Sequence, residues 1–206
     1  NNGDVNPYDV PAPEIGDKNI LVKVINSCIS VGTEISGVKN SGMPLYERAL
    51  KQPKNVKKVI DMINSQGLIN TYERIKEKVN SPMATGYSAA GYVIGIGKEV
   101  ENFRIGDKVA CGGAGVANHA EIIDVPVNLA SKIPDSVPFE DASTITLGAI
   151  AMQGIRRAEP TIGETFLVIG LGVIGQITNQ LLQCNGCNVI GVDIDNNRLK
   201  IGKENN

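Results

Sequence analysis

The run Thr165-Phe-Leu-Val-Ile-Gly170-Leu-Gly172-Val-Ile-Gly175 restricts the possible folds of this chain more than any other stretch. The β-branched and apolar residues Thr165 to Ile169 predict a buried strand, and Val173 to Leu182 predict an apolar helix behind the glycines. Each glycine has its own task in such a turn. Gly170 makes the tight strand-to-helix bend, Gly172 lets backbone approach a pyrophosphate, and Gly175 lets helix and strand pack closely. The helix N-terminus offers unpaired N–H groups and a positive dipole end to phosphates. A second strand, Asn188 to Val192, ends at Asp193, 18 residues past Gly175. An acid there accepts hydrogen bonds from both ribose hydroxyls and repels a 2′-phosphate, which favours NAD over NADP. The glycine spacing alone also fits an ordinary turn; the flanking strand, helix and acid decide for a dinucleotide.

The bulk properties exclude several classes. The chain has 206 residues, 42% of them apolar, and a formal net charge of −2, as expected of a globular protein of one large or two small domains. No apolar run approaches the roughly 18 residues of a membrane span, and the start does not resemble a signal peptide. The charge balance argues for neither nucleic acid nor membrane as a partner. Cysteines 28, 111, 184 and 187 are too scattered for a disulfide scaffold. Reduced thiols in a cytoplasm are expected, with Cys184 packed as a small apolar residue rather than serving a Cys-x-x-Cys metal or redox site. The chain begins Asn-Asn and stops soon after Asp193, with two strands where a complete nucleotide-binding sheet has about six. It is therefore expected to be a piece of a longer protein and inactive alone.

Residues 1–140 read as mostly β, with strands expected at Asn19–Asn26, Ala89–Ile96, Lys108–Cys111, His119–Pro126 and Leu129–Lys132. Short strands at short spacings suggest a partly open β-barrel. Between Pro44 and Val79 the pattern changes to two amphipathic helices, giving a helical insert at about 44–79. It carries eight Lys/Arg against four Asp/Glu, which reads as a solvated basic face more readily than as a site for an acidic partner. Pro134 to Pro138 look like a linker, and one helix is expected from Phe139 to about Arg157. That places a boundary near residue 140, with residues 141–206 forming a linking helix and the first part of a Rossmann fold. The expected class is α/β plus β.

This order resembles the medium-chain dehydrogenase/reductase superfamily, the fold of zinc alcohol and sorbitol dehydrogenases. Ser30-Val-Gly-Thr-Glu34, Gly86-Tyr-Ser-Ala-Ala-Gly91, Val100-Glu-Asn-Phe-Arg-Ile-Gly-Asp-Lys-Val109 and Pro160-Thr-Ile-Gly-Glu-Thr-Phe-Leu-Val-Ile-Gly170 carry the resemblance. The β-rich part then corresponds to a GroES-like substrate domain. Val109-Ala-Cys-Gly-Gly-Ala-Gly-Val-Ala-Asn-His-Ala-Glu121 and Leu147-Gly-Ala-Ile-Ala-Met-Gln-Gly154 look more narrowly like bacterial bi-domain oxidoreductases. In that subgroup a dehydrogenase-like half is fused to a Gfo/Idh/MocA-type dehydrogenase and is associated with surface-sugar biosynthesis. The superfamily also implies a homodimer formed through the Rossmann half.

The departures from the resemblance concern zinc. The positions of the three catalytic ligands are taken by Val31, Tyr87 and, about where the third falls, Thr146. Valine cannot coordinate the metal, and neutral tyrosine and threonine substitute poorly for thiolate, imidazole or carboxylate. The cysteine-rich structural-zinc lobe is missing as well, so no zinc is expected. Hydride transfer then needs other donors aimed at the developing alkoxide, each worth roughly 3–4 kcal/mol in a favourable site. Thr33 stands at the family's proton-relay position, and Tyr87 presents a phenol where a ligand histidine would be. Glu34 replaces a carboxylate behind the ligands. Each has a plainer alternative: Tyr87 fills space, Thr33 makes a turn hydrogen bond, and Glu34 caps a helix. His119, the only histidine, and Cys111 read as structural before catalytic. The expected cofactor set is Gly170, Gly172, Val173, Ile174, Gly175, Asp193 and Arg198.

The leading expectation is a zinc-independent NAD(H)-linked oxidoreductase acting on a carbonyl or alcohol of a small molecule. A quinone or enone reductase is one alternative. A catalytically silent dinucleotide-binding module of a larger bi-domain protein is the other.

Overall fold

The computed structural model describes residues 5–30, 32, 34, 61–63, 65–67, 70–71 and 84–204. They fall into two compact units, one holding residues 13–28 and 87–204, the other the described residues of 5–12 and 29–86. Of the expected insert, only a few residues are described. Asp61–Ile63, Ser65, Gln66, Asn70 and Thr71 have helical backbone, and Thr71 is buried with its hydroxyl donating to Gly67 C=O at 2.8 Å. Thr33 and Val31 lie outside the described residues.

Five strands of the larger unit form one curled antiparallel half-barrel. They are β1 (Asn19–Ser27), β2 (Ser88–Ile96), β3 (Lys108–Gly112), β4 (Ile122–Pro126) and β5 (Ala130–Lys132), in the order β4-β1-β2-β3-β5. Period-two alternation sends Ile20 and Val22 of β1 into the core with Ala89, Val93, Val109, Cys111, Ile123 and Val125. The β1–β2 register slips between Leu21 and Val22 and again between Val24 and Asn26, irregularities that sharpen strand twist and help a sheet curl. The start of β2 is buried on both faces. Ala90 faces away from the main core and packs with Ala110 against Ala142.

Helices α1 (Phe139–Ala142) and α2 (Ile145–Ala158) replace the single helix expected over Phe139 to Arg157. The break falls where two hydroxyls compete for backbone carbonyls. Ser143 Oγ donates to Glu140 C=O at 2.7 Å and Thr144 Oγ1 to Asp141 C=O at 2.7 Å. Past it, α2 buries Leu147, Ala151 and Ile155, a stripe four residues apart.

The second sheet is β6 (Thr165–Ile169) paired in parallel with β7 (Asn188–Val192). Helix α3 (Val173–Cys184) crosses between them, and α4 (Asn196–Glu204) follows β7. Strand β6 departs from the buried strand that its composition predicts. Phe166 and Val168 pack towards Ile155 and Leu182, whereas Leu167 and Ile169 are 59% and 78% exposed beside Ile190 and Val192. One face of this sheet is thus apolar and open. Cys184 also differs from expectation: it ends α3 exposed to solvent, and Cys187 is the one buried in the α2–α3–β6 core. An apolar groove of about 270 Å³ runs between β6, α2 and α3 and contains none of the candidate site residues. No helix among the described residues is long and apolar enough to cross a membrane.

Candidate functional site

The glycine turn is built from three different backbone demands. Gly170 has φ +93°, a left-handed conformation that side chains resist, and its N–H donates to Val192 C=O at 2.7 Å. Gly172 precedes α3 with extended backbone and open space where a side chain would stand. Gly175 lies so close to Gly170 that a Cβ there would be 1.9 Å from the Gly170 carbonyl oxygen. No side chain caps α3, and its first turn, Val173 and Ile174 included, leaves N–H groups without intrahelical partners. A cradle of open glycines at an uncapped helix N-terminus fits a pyrophosphate.

Asp193, at the end of β7, is tied inward. Its side chain is 3% exposed; Oδ2 accepts the Leu171 N–H at 2.7 Å and Oδ1 the Asp195 N–H at 2.9 Å. Oδ2 also faces the Arg198 guanidinium, and Oδ1 keeps one further acceptor position for a ribose hydroxyl. Arg198 stands half-exposed over the pair, 3.6 Å from Asp193 and 3.7 Å from Asp195. At those separations its ion pairs contribute little by themselves. The Asp195 N–H, then the Leu171 N–H and the Arg198 charge, hold the Asp193 carboxyl below its ordinary 3.8, against the opposing effect of desolvation.

That direction fixes an acid response. A carboxyl with a depressed folded-state pKa contributes stability that is complete above its ordinary value and lost as pH falls through the folded value. Asp107, lowered by its hydrogen bond from Lys132, behaves the same way, so a comparison must isolate Asp193. The stability gap between the parent protein and Asp193→Asn is expected to shrink as pH falls from about 5 to about 2.5. Urea titrations across that range measure it, and a gap independent of pH would remove Asp193 from the acid response.

Residues assigned to the reacting side are partly brought together. The Tyr87 carbonyl oxygen accepts the Gly113 N–H at 2.9 Å and the Thr146 hydroxyl at 3.3 Å, so two of the three positions matched to zinc ligands adjoin. Ser88 fastens this corner: its buried hydroxyl donates to Ser143 C=O at 2.5 Å and accepts the Thr146 N–H at 3.3 Å. The donor chemistry does not fit zinc. A phenol and an aliphatic hydroxyl supply no thiolate, imidazole or carboxylate, and the Thr146 proton is directed at a carbonyl. Among the described residues no three His, Cys, Asp or Glu gather to hold a metal.

Glu34, in the smaller unit, accepts the Ser30 N–H on Oε1 at 2.7 Å, while its own N–H donates to Ser30 C=O at 2.9 Å. The first bond is a carboxylate capping the Ser30 N–H; the second is the ordinary backbone bond of a helical turn. His119 Nδ1 meets Ser27 Oγ at 2.8 Å, which supports a structural role. Burial pushes the Cys111 thiol up to about 12, leaving it protonated and unsuited to nucleophilic attack. Gln176 was not singled out from the sequence. Its place directly after Gly175 is the only local signal, and its two hydrogen-bond partners lie 5 and 22 residues away.

Residues 58–135 match the family model of the alcohol dehydrogenase GroES-like domain. An alcohol dehydrogenase of Geobacillus stearothermophilus is 27% identical over 158 residues, covering 63% of this chain and 46% of that protein. An L-threonine 3-dehydrogenase of Escherichia coli O1:K1 / APEC is 26% identical over 223 aligned positions, covering 95% of this chain and 56% of the relative. The solved quinone oxidoreductase of Coxiella burnetii shares the fold, with a TM-score of 0.72 at 23% identity over 96% of this chain and 54% of that one. The chain spans about half the length of the curated relatives it matches. The GroES-like match and these relatives agree with the resemblance to the medium-chain dehydrogenase/reductase, zinc alcohol dehydrogenase-like superfamily.

Proposed function

We propose that the chain belongs to an NAD(H)-linked, zinc-independent oxidoreductase that interconverts a carbonyl and an alcohol in the cytoplasm. The observation that carries this reading is the uncapped glycine turn of Gly170, Gly172 and Gly175, joined to Asp193 by the Leu171 N–H. Bound NAD(H) would supply or accept the hydride. Gly170 to Gly175 receive the pyrophosphate, and Asp193 accepts the ribose hydroxyls with Arg198 beside it. Tyr87 donates to the substrate oxygen as negative charge grows there, and Thr33 relays the proton. Glu34 serves the fold of its own turn as a cap. A keto-sugar is the first substrate class to try, following the resemblance to bi-domain oxidoreductases with a fused second dehydrogenase.

A quinone or enone reductase is the second reading. It is supported by the zinc-poor donors Tyr87 and Thr146 and by the name of the Coxiella burnetii structure that shares the fold.

The test uses the full-length protein: fluorescence titration with NADH and NADPH, metal analysis, and NADH oxidation with keto-sugars and quinones. Keto-sugar turnover without bound zinc is expected, with Tyr87→Phe lowering kcat by about a hundredfold. Quinone turnover alone selects the second reading. Tight NADH binding without turnover, unchanged by Tyr87→Phe, points to a silent module, and stoichiometric zinc overturns the metal argument. Asp193→Ala is expected to lower the preference for NADH over NADPH.

A further inference from the structure

We propose that Gln176 is a positioning residue that sets the pyrophosphate turn and the ribose edge of the cofactor site as one pre-formed unit. The proposal rests on the dinucleotide reading of the glycine turn. Gln176 Nε2 donates to Leu171 C=O at 3.1 Å and to Arg198 C=O at 2.9 Å. Both partners are carbonyls, so only the amide nitrogen can face them, and the orientation of the side chain is fixed. Its Oε1 is buried with no hydrogen-bond partner among the described residues, a state that folded proteins rarely accept without a compensating role.

The same residue, Leu171, is held from every side. Its N–H goes to Asp193 and its C=O to Gln176, so side chains occupy both of its backbone polar groups. Its own side chain is buried at 4% exposure in a notch of two glycines. A Cβ on Gly191 or Gly202 would stand 2.9 or 3.1 Å from Leu171 Cδ1. Gly191 lies in β7, which leads to Asp193, and Gly202 lies in α4 with Arg198. Gln176 touches both the turn and α4. The N–H groups for the phosphates and the acceptors for the ribose are thereby placed before any ligand arrives, which cuts the ordering cost of binding.

Two variants test this in the full-length protein. Gln176→Met keeps length but removes both donors; Gln176→Asn keeps the amide but falls one carbon short of bridging. ADP carries the adenosine and pyrophosphate chemistry, and calorimetry measures its Kd well below the melting temperature of each variant. Amide exchange at Gly170 to Gly175 and at Asp195 is followed without ligand. In Gln176→Met, exchange is expected to quicken at these positions and the ADP Kd to rise about tenfold, with KM for NADH rising and kcat kept. Gln176→Asn is expected to lie between, and it decides the matter if the methionine variant does not fold. A lowered melting temperature with unchanged ADP affinity would assign Gln176 to stability alone and overturn the proposal. So would unchanged exchange at the turn. A parent protein that binds no ADP would instead sink the dinucleotide reading, and this role with it.

Discussion

A Gly175→Ala protein is expected to lose about a hundredfold in ADP and NADH affinity and about 2–4 kcal/mol of stability. The added methyl carbon would lie 1.9 Å from the Gly170 carbonyl oxygen and 2.9 Å from its carbonyl carbon. Both are backbone atoms, so no rotamer change relieves the overlap. The turn or the first turn of α3 must move by more than an ångström. Movement of the turn strains the Gly170 N–H bond to Val192 and the Leu171 N–H bond to Asp193, at 2.7 Å each. Movement of the helix draws its N–H groups away from the phosphate position. For a chain of this size the loss corresponds to a melting temperature lower by roughly 5–15 °C. Melting curves with calorimetric ADP titration measure both effects. Parent-like values in both would mean that the helix and strand do not approach as closely as the structure has them.

Much of this was legible in the sequence, and the reason differs from element to element. Thr165–Ile169 and Asn188–Val192 are strands at the expected residues, because glycine or a turn bounds each short β-branched run. What those runs do not reveal is which face is covered, and Leu167 and Ile169 are exposed. Strand β4 begins at Ile122, not His119, because His119 turns to Ser27 and the Ala120 N–H closes onto Asn118 C=O. The broken helix at Ser143 follows partly from local hydroxyl bonds and partly from Ser88, 55 residues away in sequence. Strand β5 starts at Ala130, after a 3-10 turn at Val127–Leu129 that periodicity does not distinguish from a strand end. At the site, glycine spacing located the turn, since each glycine answers a local backbone demand. Gln176 and the two inward bonds of Asp193 depend on contacts between turn, β7 and α4, and no local pattern encodes those.

Gly91→Ala should damage the half-barrel more than any other single methyl group added to its strands. Gly91 lies in β2 opposite Val24, where β1 carries an extra residue, Ile25, between its pairings with Gly91 and Ala90. The irregularity brings the β1 backbone over Gly91, so a Cβ would meet Lys23 O at 2.0 Å, Lys23 C at 2.8 Å and Val24 Cα at 3.0 Å. A flexible side chain could swing aside; a paired strand cannot. Strand β1 lies between β4 and β2 and contributes Ile20 and Val22 to the core, so its displacement opens both ladders and the apolar centre together. The expected cost is about 3 kcal/mol or more, near the upper end for overpacking, and roughly 6–12 °C in melting temperature. Gly148→Ala in α2 is the contrast, because nothing lies within 4 Å of its added carbon. Alanine there should stabilise by up to about 1 kcal/mol through helix propensity. Paired thermal melts therefore give opposite signs for the same chemical change. Equal shifts would mean that the backbone approach at Gly91, and with it the curl that places Tyr87 and Ser88 at the start of β2, is not what makes glycine necessary there.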